Sequence, residues 1–193
     1  AYAIRGDIKY GGKDYKGALQ DYNKMVEYGP GTAENYLRRI KARVKNEDRP
    51  GALQDFKRVV ELNPRDQSIY VRLGKEMIEY KFYSEALDLF NKLIKANPKK
   101  ADFFVERGVA KQNLGNINDA IVDYDMAMKL DTASDAAYYN RGSAKLALKD
   151  YDGALKDINK AIKINKDDDE AFFTRATARM AMKNYSGAID DYN

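Results

Sequence analysis

Apolar residues return along this chain at a fixed interval. Ala18, Ala52, Ala86, Ala120, Ala154 and Ala188 are each 34 residues apart. Sixteen residues before each alanine stands an aromatic: Tyr2, Tyr36, Tyr70, Phe104, Tyr138 and Phe172. A branched aliphatic follows each alanine, from Leu19 to Ile189. Four residues past the alanine come Tyr22, Phe56, Phe90, Tyr124, Ile158 and Tyr192. Twelve before it lies a small residue, Gly6, Gly74, Gly108, Gly142 or Ala176, with Ile40 the exception. Between these anchors the apolar positions fall three and four apart, the spacing of a helix face. Self-similarity at this period means one supersecondary unit stacked repeatedly.

Each unit predicts two helices. First helices are expected near 33–46, 67–80, 101–114, 135–148 and 169–182, second helices near 50–62, 84–96, 118–130 and 151–164. Asp14, Asp48, Asn116, Asp150 and Asn184 stand where caps of second helices belong, whereas Phe82 predicts a less crisp start in repeat three. Pro30, Pro64 and Pro98 stop second helices. Later repeats lack that proline, so Ser134 and Asp168 are expected to restart the chain as caps. The repeats divide the chain at about 1–32, 33–66, 67–100, 101–134, 135–168 and 169–193, one continuous array. Ala1 falls inside a first helix and Asn193 partway along a second, which predicts an incomplete last hairpin and a fragment of a longer array. Exposed array ends carrying Ile189 and Tyr192 would then favour end-to-end self-association.

A charged pair is hidden in the repeat. Thirteen residues before the anchor stand Arg5, Arg39, Leu73, Arg107, Arg141 and Arg175. Three after it stand Asp21, Asp55, Leu89, Asp123, Asp157 and Asp191. Arginine always meets aspartate and leucine meets leucine. In an antiparallel hairpin the two positions lie at one level and lean to one side, so a bidentate bond is within reach. The expectation is an intra-repeat ion pair that orders the stack.

The aromatic, Gly, Tyr, Ala, Phe/Tyr, Ala and Pro at these intervals resemble the tetratricopeptide repeat, in a variant with Arg-Gly, as in Arg107-Gly108 and Arg141-Gly142. The resemblance covers the whole chain. It implies an all-α fold, a right-handed α-α superhelix of about six 34-residue hairpins. It also implies a protein-interaction scaffold whose concave groove, lined by first helices, holds a partner's peptide segment. Carried onto this sequence, the groove residues are Leu37 and Lys41, Val71 and Lys75, Val105 and Val109, Tyr139, Ser143 and Leu146, and Phe173, Thr177 and Met180. Lys41 and Lys75 would select charge, and Tyr139, Leu146, Phe173 and Met180 would serve as apolar anchors. One subset of the family clamps the C-terminal carboxylates of heat-shock chaperones. Here Asn140 fits one clamp position, but Val105, Val109, Glu170 and Thr174 occupy the other four, so a chaperone tail is not the expected partner. The rival reading is a purely structural, self-associating array.

Composition narrows the chemistry. The 193 residues are 33% charged with a net charge of +4, which permits an acidic partner without demanding nucleic acid. Basic residues are interleaved with acidic ones, against a nucleic-acid-binding helical repeat. There is no histidine and no cysteine, so the usual general base and thiol nucleophile are missing and no catalytic residue is assigned. The run Asp167, Asp168, Asp169, Glu170 lacks the ligand spacing of a calcium loop and fits a helix start better. No metal or cofactor site is expected. No apolar run approaches the length of a membrane span. Compartment and partner identity are not written in these residues.

Overall fold

The structure is a computed structural model that describes residues 1–63 and 66–193. Among the described residues all regular structure is helical. The first helices of successive hairpins are α1 (Tyr2–Gly11), α3 (Ala33–Lys45), α5 (Gln67–Glu79), α7 (Ala101–Asn113), α9 (Asp135–Ala147) and α11 (Asp169–Ala181). The second helices are α2 (Tyr15–Tyr28), α4 (Arg49–Leu62), α6 (Tyr83–Ala96), α8 (Ile117–Leu130), α10 (Tyr151–Ile164) and α12 (Tyr185–Tyr192). This is the all-α helical-hairpin repeat that the 34-residue period predicts.

The chain forms two compact units, Ala1–Leu73 and Gly74–Asn193, divided inside α5. In the first unit α1 packs on α2, α3 on α4, and α2 on α3. In the second, the hairpins α7–α8, α9–α10 and α11–α12 follow one another, with α6 against α7, α8 against α9 and α10 against α11. There α9 also touches α7 and α11, so first helices lie side by side.

The helix ends follow from turn chemistry. First helices close one residue before their expected ends. The next residue is a cap, and the one after it turns into the left-handed region: Lys13 (φ 63°), Glu47 (62°), Lys81 (62°), Gly115 (86°), Lys149 (64°) and Lys183 (62°). A second helix then starts at once. Asp14, Asp48, Asp150 and Asn184 accept a hydrogen bond from the backbone N–H three residues on, always that of a glycine: Gly17, Gly51, Gly153 and Gly187. A Cβ on Gly153 would sit 2.2 Å from Oδ2 of Asp150, whose Oδ1 accepts the cap bond, so glycine lets the carboxylate close. Asn116 departs from expectation and makes no side-chain cap bond, having Asp119 where the others have glycine. Phe82 makes none either. Ser134 and Asp168 cap α9 and α11, and Thr32 caps α3. Asp168 thus accounts for part of the acidic run at 167–170. Tyr28 and Ala96 end α2 and α6 two residues before Pro30 and Pro98. The stop assigned to Pro64 lies outside the described residues.

The core is a repeated contact. All six anchor alanines are fully buried. A Cβ on Gly6, Gly74 or Gly108 would come within 2.5 Å of the ring of Tyr22, Phe90 or Tyr124, so the missing side chain lets the aromatic of the second helix lie on the first. Burying such a side chain fully contributes about 1.5–3 kcal/mol, and Tyr22, Phe56, Phe90, Tyr124 and Ile158 repeat that gain in the first five hairpins.

Candidate peptide-binding face

The first helices present the candidate face. On α9, Tyr139, Ser143 and Leu146 fall at i, i+4 and i+7. On α11, Phe173, Thr177 and Met180 do the same, each set making one stripe. Because α9 and α11 are neighbours, the stripes combine. Tyr139 and Leu146 are half-buried against the cluster of Ala154, Ile158, Ile162 and Ala171. The Tyr139 hydroxyl lies 3.3 Å from Thr174 Oγ1, tying the two helices together. Phe173 is 63% exposed, with its ring 5.7 Å from that of Tyr192, and Met180 is 46% exposed. Thr177 donates to the Phe173 carbonyl at 3.0 Å, so its hydroxyl is already engaged. Ser143 is half-buried. On α7, Val109 packs beside Tyr124 and Ala144.

Other expected groove residues are placed differently. Val105 is buried beside Ala127 and Ala137, and in the first unit Leu37 is buried, so neither is offered to a ligand. Lys41 and Val71 are half-buried. The charges are largely answered from within. Arg38 meets Asp7 at 3.4 Å and Arg72 meets Glu34 at 3.2 Å in the first unit. In the second, Lys75 meets Glu106 at 3.1 Å. A charge-selecting role for Lys75 would therefore require a ligand to displace Glu106. Asn140, the one clamp-like residue, spends its amide on the Ala136 carbonyl at 2.8 Å.

A charged spine recurs in the hairpins of each unit. In five repeats the arginine Nε and Nη2 donate to the carboxylate sixteen residues on, at 2.5–3.0 Å: Arg5 to Asp21, Arg39 to Asp55, Arg107 to Asp123, Arg141 to Asp157 and Arg175 to Asp191. The aspartate side chains are only 2–3% exposed. Each accepts a second cation, one helical turn beyond the arginine: Lys9, Arg43, Lys111, Lys145 or Arg179, at 2.7–3.2 Å. The bonds from Arg5 hold the Asp21 carboxyl well below the usual range. For Asp157 burial pushes upward, but the bonds from Arg141 and Lys145 outweigh it and the carboxyl stays lowered. The arginine also reaches backwards through Nη1: Arg39 to Asn23, Arg107 to Asn91, Arg141 to Asp125 and Arg175 to Asn159, at 2.5–3.4 Å. Each of these arginines thus pins its own second helix and that of the hairpin before.

Residues 136–168, nearly the whole α9–α10 hairpin, match the model of the tetratricopeptide repeat. The same spacing recurs in every other hairpin of the chain. Residues 136–168 are a tetratricopeptide repeat. Solved structures share its fold. TTC0263, a thermophilic tetratricopeptide-repeat protein of Thermus thermophilus, is 20% identical with a TM-score of 0.62, over 93% of this chain and 97% of its own. YrrB, described as having an unusual peptide-binding site, is 20% identical with a TM-score of 0.57, over 88% of each chain. The first repeat domain of Spaghetti (RPAP3), bound to the HSP90 peptide SRMEEVD, is 24% identical with a TM-score of 0.56, over 60% of this chain and 91% of its own. No curated protein matches in sequence.

Along these repeats the sequence pattern reveals the arginine–aspartate pair but not its two further partners. The signal for both was present. Where repeat three has Leu73 and Leu89, the second cation is replaced by Met77, and the backward acceptor of the preceding repeat is replaced by Lys57. All four positions change together. Leu73, Met77 and Leu89 are buried. Among the described residues no group of three or more acidic side chains is placed to hold a metal, and no helix is long and apolar enough to cross a membrane.

Proposed function

We propose that this chain is a tetratricopeptide-repeat interaction scaffold that grips a partner's peptide segment on the first-helix face of the second unit. One observation carries the reading: Phe173 and Met180 stand exposed on α11, the helix that lies beside the α9 of Tyr139 and Leu146. A large aromatic kept in water beside half-buried apolar neighbours is the usual form of an interface anchor. Peptides bound by YrrB and by the RPAP3 domain lend support at the level of the fold. The segment is apolar, with side chains at helical or extended spacing. It is not a carboxylate-terminated chaperone tail, because Val105, Val109, Glu170 and Thr174 stand where that clamp needs cations and amides. The orienting role expected of Lys75 would need the segment to displace Glu106, and Lys41 belongs to the other unit, so neither is used in this reading.

A displayed random-peptide library selected against the folded protein tests the proposal. Selected peptides should carry bulky apolar residues. Tyr139→Ala with Phe173→Ala should weaken them about 30-fold or more, the effect of losing one strong anchor of about 2 kcal/mol. Peptides that bind this folded variant as tightly as the original would show that the face is not the site. The rival, a self-associating array, has its own support in Ile189 at 59% and Tyr192 at 53% exposure. Sedimentation of Ile189→Asp against the original distinguishes it, since only a self-association through α12 responds.

A further inference from the structure

The second helices carry a feature that neither the repeat nor the first-helix face explains. In the second unit Arg107 joins Asn91 on α6 to Asp123 on α8, and Arg141 joins Asp125 on α8 to Asp157 on α10. The helices α6, α8 and α10 are therefore bridged in 34-residue register through the arginines of α7 and α9, and equivalent positions on them form rows. One row is Asp88, Val122, Lys156; the next is Lys92, Met126, Lys160; the third is Lys95, Lys129, Lys163. Val122 is 64% exposed and Met126 39%. They sit at i and i+4, so they form one apolar spot, and Leu130 continues it at i+8 with 38% exposure.

No other repeat has such a spot. The position of Val122 holds Gln20, Gln54, Asp88, Lys156 and Asp190 elsewhere, and that of Met126 holds Lys24, Arg58, Lys92 and Lys160. The fold accepts polar residues at both places, and a β-branched valine is a poorer helix former than any straight-chain polar residue. Single exposed aliphatics need no explanation, but a pair one turn apart where four sister helices are polar does. The surroundings specify the partner's charge. Six lysines ring the spot, on α6, α8 and α10, and among the described residues none of them reaches a carboxylate. Lys160 instead leans on an aromatic, its Nζ lying 5.8 Å from the Tyr138 ring centre. Asp88 on α6, Asp119 on α8 and Asp152 on α10 are exposed acids on these helices, while Asp125 is held by Arg141.

We propose that this second-helix face of α6, α8 and α10 is a docking surface for an acidic amphipathic helix of a partner protein. Two apolar side chains one turn apart would cover Val122 and Met126, and flanking carboxylates would meet the lysines on either side. The surface is separate from the first-helix face, so both could be occupied together.

Three labelled synthetic peptides of about 18 residues, five turns of helix, test this by fluorescence anisotropy. One has leucines on one helical face and glutamates on the other; the second replaces the glutamates with lysines; the third replaces the leucines with glutamines. The Glu/Leu peptide should bind, and the other two at least tenfold more weakly. Val122→Gln with Met126→Lys installs the residues of repeat one, Gln20 and Lys24, so the fold should tolerate it, as circular dichroism would check. It should weaken the Glu/Leu peptide at least tenfold although it adds positive charge. Lys156→Glu with Lys163→Glu should do the same and flatten the salt dependence. In a Phe173→Ala, Met180→Ala background, which removes the first-helix anchors, the Glu/Leu peptide should still bind and the Val122→Gln, Met126→Lys change should still weaken it at least tenfold, which separates this surface from the first-helix face. No binding of the Glu/Leu peptide up to millimolar concentration would overturn the proposal. So would unchanged binding to the Val122→Gln, Met126→Lys variant, or equal affinity for an oligothymidylate or for anionic lipid vesicles, since each would mean that charge alone is recognised.

Discussion

Repeat three suggests that the charged spine can be replaced as a block but not in parts, and repeat five is the place to try it. The perturbation is Arg141→Leu, Lys145→Met and Asp157→Leu, singly and together, which copies Leu73, Met77 and Leu89. The Asp157 side chain is 2% exposed and accepts three charged bonds, at 2.8 and 2.6 Å from Arg141 and 2.7 Å from Lys145. Asp157→Leu leaves two cations, each about one-fifth exposed, facing an apolar side chain. Only Arg141 keeps a second acid, Asp125. Breaking a buried ion pair from one side costs about 3–5 kcal/mol, and the residual Asp125 bond places this variant at about 3–4 kcal/mol. Arg141→Leu strands the buried carboxylate with Lys145 alone and should cost about as much. Lys145→Met leaves the bidentate bond intact and should cost about 1.5–3 kcal/mol, the worth of a charged hydrogen bond. The triple variant removes every buried charge at once, and hydrophobic replacement of buried ion networks is often neutral or stabilising, so it should lie within about 1 kcal/mol of the original. Asp125, with its side chain 42% exposed, loses its partner but returns to water. Stability would be read from urea unfolding followed by circular dichroism. Because repeat arrays need not unfold in one step, hydrogen exchange of the α9 and α10 amides would accompany it. A triple variant destabilised by the sum of its single changes, to within about 0.5 kcal/mol, would refute the reasoning.

The same spine makes stability pH-dependent. Asp21 and Asp157 have lowered folded values, so their stabilising contribution is complete above the ordinary carboxylate value of about 4 and is lost as pH falls through the lowered values. The urea midpoint should therefore fall steadily from about pH 4 towards about pH 2, and less steeply in the triple variant; equal slopes would contradict the assignment. Gly153→Ala should destabilise by about 0.5–1 kcal/mol, against the usual gain from removing a helical glycine, because the new Cβ drives Asp150 off its cap. In an Asp150→Ala background the same change should turn stabilising, and thermal melts of the four proteins would show whether the sign reverses.

Much of this protein is one-dimensional and can be read along the chain. The period placed each hairpin to within a residue or so, because anchor alanine, facing glycine and aromatic meet at constant sequence separation inside every unit. The arginine–aspartate pair was legible for the same reason: sixteen residues always span the same turn, and repeat three loses both partners together. What the period could not supply depends on how one hairpin meets the next. The backward reach of Arg107 to Asn91 and of Arg141 to Asp125 crosses between hairpins, and so does Lys75 to Glu106, which removed a charge from the expected groove. Val105 and Phe173 hold equivalent places two repeats apart, yet one is 6% exposed and the other 63%. Val122 and Met126 carry no periodic signal at all, since they are the place where the repeat is broken. A stripe in sequence fixes which residues share a helix face. Only packing decides whether that face meets protein or water, because burial is set by the neighbouring helix and not by the residue itself.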